Sequence, residues 1–263
     1  MANKTHIDNW ITKAEPDYYT MFIKAWIPFN AWYFTEYSTK TDSEALEKIK
    51  KDPNKIRNRI EALLVNVDNE SRNFRYHLAQ LHIELEKRSV KNYEKSVSFT
   101  CIALKEFFPS PVTDNDSKGN VYKAIPHKSS GYRAVIVGKN NNSLMDATFS
   151  PYSLNDFLLH YQYIKIQDPK MKEKIKICFE KIDPEKPVNL VSKSKIKSEF
   201  ILLDSDSKIQ FINDTQLIAK AIIQTLYTLR CVLFHGQLDP TDINQAIYEH
   251  AFTIIKPIIK ELK

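Results

Sequence analysis

Tyr227-Thr228-Leu229-Arg230-Cys231-Val232-Leu233-Phe234-His235-Gly236 closes the most apolar stretch of the chain, which opens near Leu217. Apolar residues recur there at three- and four-residue spacings, the period of a buried helix, and Asn213 or Asp214 supplies its N-cap. Arg230 breaks the apolar run, and a guanidinium in such a helix needs an acid partner or an anionic ligand. His235 stands against Gly236, a residue suited to the left-handed turn that ends a helix. The polar Gln237-Leu238-Asp239-Pro240 connection follows, so the imidazole can lie at a mouth instead of in the core. Five residues turn a helix by about 140°, so one helix presents Arg230 and His235 poorly as a pair. Two copies meeting across a symmetry axis would bring both arginines and both histidines into one cleft.

Working outward, Asp239-Pro240 starts a last helix reaching about Leu262. At the other end, Tyr18, Tyr19, Phe22, Trp26, Phe29, Trp32, Tyr33 and Tyr37 recur at helical spacing, with Pro28 expected to kink or split the segment. Asn30 is the polar member of this aromatic face; if buried it must be hydrogen-bonded, and it could orient a group in a cleft. Thr41 or Asp42 caps a helix to Lys51, Pro53 begins another to about Val67, and Glu70 to Arg88 forms a third. Ser96 to Phe108 reads as a further helix or an extended core segment.

The character changes at Pro109. Pro111, Asp114, Asn115, Asp116, Gly119 and Pro126 mark a loop, and Tyr132 to Val137 reads as a strand. Helices are predicted over Ser153 to Lys165 and Asp168 to Lys181, and Phe200 to Ile212 forms a hairpin. The expected fold is therefore mainly α. A helical bundle is built from residues 1–108 and 213–263, and residues 109–212 are inserted as a mixed α/β element.

Composition limits the function. With 263 residues of which 43% are hydrophobic, the chain can build a proper core. Lys220, Gln224 and Arg230 interrupt the stretch from Leu217 to Phe234, and Met1 to Asp8 lacks the apolar segment of a signal peptide, so no membrane association and a cytoplasmic location are expected. Cys101, Cys178 and Cys231 lie far apart in apolar surroundings and are read as buried free thiols. A net charge of +6 permits nucleic-acid binding without requiring it. The chain has no glycine-rich phosphate loop, nucleophile elbow, paired cysteines or helical His-Glu-x-x-His, so no metal and no cofactor are expected. Asp204, Asp206 and Glu199 could hold a divalent ion, but acidic residues about a hairpin are ordinary turn formers.

An arginine and, after four to six intervening residues, a histidine occur three times. Arg72 with His77 and Arg75 with His82 are the other two, and these histidines share a face with Phe74, Leu78 and Leu81, where a histidine satisfied by a core hydrogen bond is the simpler reading. The stretch Leu-Tyr-x-Leu-Arg-x-x-Leu-Phe-His-Gly at 226–236, and the run Trp26-Ile27-Pro28-Phe29-Asn30-Ala31-Trp32-Tyr33, resemble the HEPN superfamily, many of whose members are ribonucleases.

The resemblance covers the two ends of the chain and implies several things. The bundle would be HEPN-like and the protein a homodimer with a composite cleft. Arg230 and His235 would be the catalytic pair of a metal-independent endoribonuclease, with Cys231, Asn30 and Gly236 supporting them. The setting would be a bacterial toxin, abortive-infection or other antiphage defence system, with RNA as substrate and a cognate antitoxin or another defence-system subunit as partner. The rival expectation is a HEPN-like domain that has lost catalysis and serves as a dimeric RNA-binding or protein-interaction module. Cys231, standing where a polar residue is usual, and the large insert both speak for that rival.

Overall fold

The computed structural model describes residues 4, 16–104, 109–127 and 129–263. The chain forms two compact units: residues 1–102 with 188–263, and residues 103–187. The first contains α1 (Tyr18–Tyr37), α2 (Asp42–Lys51), α3 (Lys55–Val65), α4 (Asn69–Arg88), α8 (Thr215–Phe234) and α9 (Asp242–Ile259). It also contains two hairpins, β1 (Lys91–Asn92) with β2 (Lys95–Ser96), and β7 (Phe200–Asp204) with β8 (Ile209–Ile212). The second contains β3 (Val112–Asn115), β4 (Val121–His127), β5 (Gly131–Val137) and β6 (Ser143–Phe149), then α5 (Leu154–Leu159), α6 (Tyr161–Lys165) and α7 (Pro169–Lys181).

The mainly α, HEPN-like bundle expected from the sequence is corrected by this architecture. The chain is mixed α/β, with three antiparallel sheets among its described residues. Residues 112–149 account for most of the difference, because their alternation hides in what reads as loop. Tyr122 and Ala124 on β4, Ala134 and Ile136 on β5, and Met145, Ala147 and Phe149 on β6 point to one face. That face packs on Phe157, Ile175, Cys178 and Phe179. The sheet is a plain meander of order β3-β4-β5-β6. Pro126 is tolerated on an inner strand because β3 pairs with β4 only as far as Ala124, and beyond that residue β4 has no neighbour on that side.

In the first unit α1 packs on α9, α9 on α4, and α8 on α2 and α3. Asp17 caps α1 by accepting from Thr20 N, and Pro28 sits inside the helix without splitting it. Of the two alternatives for Ser96 to Phe108, residues 97–104 take the non-helical core segment, with Val97, Phe99, Ile102 and Leu104 buried; the last four residues lie outside the described ones. Ile102 and Val188 exchange backbone hydrogen bonds of 3.0 and 2.9 Å, joining the two segments where the second unit leaves and returns. The hairpin at 200–212, grouped with the insert by the sequence reading, belongs to the first unit. Cys178 and Cys231 are buried free thiols, but Cys101 is exposed.

Helix α8 is long and apolar enough to cross a membrane by length and composition, despite Lys220 and Arg230. Its apolar residues are the core of the first unit, with Ile218, Ile222, Leu229 and Val232 all at most 1% exposed.

Candidate active site at the end of the core helix

Asp214 caps α8 by accepting from Leu217 N, and the helix runs unbroken to Phe234. Its end is a left-handed turn. His235 N donates to Cys231 O at 2.9 Å, Gly236 N to Leu233 O at 3.2 Å and Gln237 N to Val232 O at 2.9 Å. Gly236 has φ +60, and a Cβ there would meet no atom within 4 Å. Its glycine is therefore required by backbone conformation and not by space. This turn leaves the imidazole of His235 exposed, as the sequence predicts.

Arg230 lies in the last turn but one, with its side chain 25% exposed. Its guanidinium carbon is 4.7 Å from the centre of the Phe234 ring, and Nη2 is 3.3 Å from Oδ2 of Asp42. The acid partner that a guanidinium in an apolar helix needs is thus Asp42, on the first turn of α2, where the helix dipole favours a carboxylate. Asp42 is itself held: Oδ1 accepts from the Tyr33 hydroxyl at 2.7 Å and from Asn30 Nδ2 at 3.1 Å, and Asn30 also contacts the Tyr33 oxygen. Burial, and after it the Asp42 carboxylate, holds the Tyr33 hydroxyl well above the usual phenol range, so it stays a donor. Arg230 Nε is buried without a hydrogen-bond partner.

The structure therefore brings Asn30 and Arg230 together through a residue the sequence reading named only as an alternative cap. His235 is not joined to Arg230 by any hydrogen bond or ion pair. Its nearest aromatic neighbour is Tyr93, at the tip of the β1–β2 hairpin, with ring centres 6.2 Å apart. Cys231 faces the core, where it contacts the Tyr227 hydroxyl; burial, and after it this thiol, pushes Tyr227 up to about 12. The same hydroxyl also feels the charges of Asp42 and Arg230. Beside the helix end a shallow groove of about 370 Å³ is lined by Tyr19, Thr20, Ile23, Lys24 and Leu233. Exposed Ile27 lies one turn along α1 from Ile23.

In the other two pairs Arg75, His77 and His82 have structural partners. Arg75 donates to the carbonyls of Leu63, Leu64 and Asn66, closing the C-terminus of α3. His77 Nδ1 is 2.9 Å from His250 Nδ1, and burial lowers both rings, His250 to about 4. His82 is 6% exposed and packed between Phe99 and Phe211. Asp204 takes hydrogen bonds from Ser207 and from Asp206 N, which makes it a turn carboxylate. No group of three histidine, cysteine or carboxylate side chains suited to a metal occurs among the described residues.

Comparison of the chain with family models, with curated proteins and with solved structures finds no match in any of the three.

Proposed function

We propose that the end of α8 is the active site of a metal-independent endoribonuclease of HEPN type, acting as a homodimer in the cytoplasm within a toxin or antiphage setting. The observation that carries this reading is the state of Arg230. Only one of its donor groups is engaged by Asp42, its Nε is buried and unpaired, and it lies near the surface five residues before an exposed histidine. A phosphate entering from solvent can take the guanidinium donors on the exposed side, where Asp42 leaves them open. Asp42 and the Phe234 ring fix the guanidinium plane beforehand.

In the proposed reaction the 2′-hydroxyl of one nucleotide attacks the adjacent phosphorus, and the bond from phosphorus to the 5′-oxygen breaks. His235 accepts the hydroxyl proton or supplies one to the leaving oxygen. Arg230 neutralises the charge gathering on the non-bridging oxygens. The products are a 2′,3′-cyclic phosphate and a 5′-hydroxyl. Each copy offers one arginine and one histidine, so a two-fold pairing at the apolar groove beside Leu233 supplies both proton-transfer partners.

A second reading has its own support. The ion pair to Asp42 satisfies Arg230 as a purely structural residue, which suits a dimeric RNA-binding or protein-interaction module without catalysis. Incubating the purified protein with single-stranded RNA in EDTA and analysing the ends separates the two. Cyclic phosphate and 5′-hydroxyl termini are expected, and intact RNA of every sequence tried leaves the module.

A further inference from the structure

The hairpin that faces His235 has the sequence Lys91-Asn92-Tyr93-Glu94-Lys95, and neither the catalytic pair nor the core uses its tip. Tyr93 is the first of two loop residues and takes φ +54. Hairpin loops normally place glycine, asparagine or aspartate in that region, because other side chains adopt it only at a cost. The ring gains no burial in return, being 71% exposed. The tip is nonetheless held in place, since Tyr93 N donates to Oε1 of Gln237, two residues beyond His235, at 3.1 Å.

A second ring lies on the same helix end. Phe234 is 58% exposed, with the Arg230 guanidinium over its face. One solvent-facing ring therefore stands beside an imidazole and the other under a guanidinium, and Lys91 and Lys95, both exposed, lie two residues to either side of Tyr93 in sequence. Aromatic planes interleaved with cations are how proteins hold unpaired bases, because every base has a π-face and every linkage a negative charge.

We propose that Tyr93 is the stacking residue for an unpaired nucleobase next to the phosphate held by Arg230, which makes the substrate a single-stranded RNA segment. This rests on the ribonuclease reading for the identity of that phosphate. In place on the strand, the base leans on the Tyr93 ring while its neighbour's phosphate reaches Arg230. The hydrogen bond from Tyr93 to Gln237 keeps the platform in register with His235. Duplex RNA, whose bases are already stacked on one another, is excluded.

The test uses the full chain and one single-stranded RNA in two forms, natural and 2′-O-methylated throughout, the latter lacking the attacking hydroxyl. Anisotropy follows binding of the methylated strand, and gel analysis follows cleavage of the natural one. Tyr93→Ala and Tyr93→Gly should each weaken binding about tenfold, while Tyr93→Trp and Tyr93→Phe stay within about twofold of wild type. The glycine variant relieves the backbone, so its loss of binding with an undiminished melting temperature assigns the effect to the ring. Equal binding by wild type and Tyr93→Ala overturns the platform, even if the natural strand is still cut. If wild type binds but never cuts, and Tyr93→Ala binds more weakly, the platform stands and the ribonuclease reading fails. If wild type neither binds nor cuts, both are wrong.

Discussion

Oδ2 of Asp42 lies 3.3 Å from Nη2 of Arg230, tying the first turn of α2 to the last turns of α8. The pair is partly exposed, so its contribution to stability is small, about 1 kcal/mol or less. Asp42→Asn keeps an acceptor for Tyr33 but loses the charge that aims the guanidinium. We expect RNA cleavage to fall about tenfold with a melting temperature within about 2 °C of wild type. Unchanged cleavage would remove Asp42 from the mechanism.

Arg230→Lys separates the two readings of the arginine. An ammonium can keep the pair with Asp42, but it cannot also grip two phosphate oxygens or lie flat on Phe234. Cleavage should drop about a hundredfold, close to the Arg230→Ala value, while thermal melting stays near wild type. A lysine variant that cuts normally assigns Arg230 a structural role.

His235 and His77 should behave oppositely. His235 is exposed at the helix end, so His235→Ala is expected to abolish cleavage by about a hundredfold or more without loss of stability. His77→Ala removes the partner of His250 inside the fold and should lower stability by about 1 to 3 kcal/mol, with cleavage by the folded fraction retained. Urea titration alongside a cleavage assay checks both, and a comparable loss of activity in the two variants contradicts the site.

The same histidine pair sets a pH dependence. His250 is lowered to about 4 by burial, then by His77 and Arg88, so the unfolded chain binds a proton that the folded chain refuses. Stability from this group is complete above about pH 6.5 and declines as pH falls towards 4, by an amount on the order of 2 kcal/mol. Unfolding free energies at pH 7, 6 and 5 should show the decline, and His250→Leu should flatten it. A flat wild-type profile would show that the ring does not resist protonation.

Gly236→Ala tests the helix end itself. With φ +60 and no atom within 4 Å of a Cβ, the substitution meets only the backbone penalty of about 1 kcal/mol. Calorimetry should register a fall of about 2 to 4 °C. Static light scattering of the wild type at micromolar concentration should give the mass of a dimer, and a monomer alone would undo the composite cleft.

Much of the site is legible along one helix. The spacing of Arg230, His235 and Gly236, and the exposed turn that follows, can be read because they depend on residues within a few positions of each other. Asp42 cannot be read in this way, since nothing near it in sequence says that α2 delivers its first turn to the end of α8. Asn30 signals that it needs a partner but not which one. The sheet of residues 112–149 stays hidden for a different reason. Its buried positions include Ala124, Ala134 and Ala147, too small to mark alternation, and Pro126 reads as a break until the short reach of β3 is known. Tyr93 is invisible to periodicity, because a lone tyrosine between Asn92 and Glu94 has no pattern to belong to.

The aromatic face of α1 meets its lid very late. Phe22 packs against Tyr248, and the amide of Tyr18 bonds to Gln245 across 227 positions. While the ribosome is still working through the intervening chain, α1 has α2 beside it but Phe22 lacks Tyr248 and Trp26 lacks Tyr227. Residues 103–187 are contiguous and can fold in that interval, but the outer unit has to wait for α9. Its assembly is therefore governed by closure of a very long loop, a slow step that leaves sticky rings in water. The fold thus places a nascent-chain hazard in its first described helix.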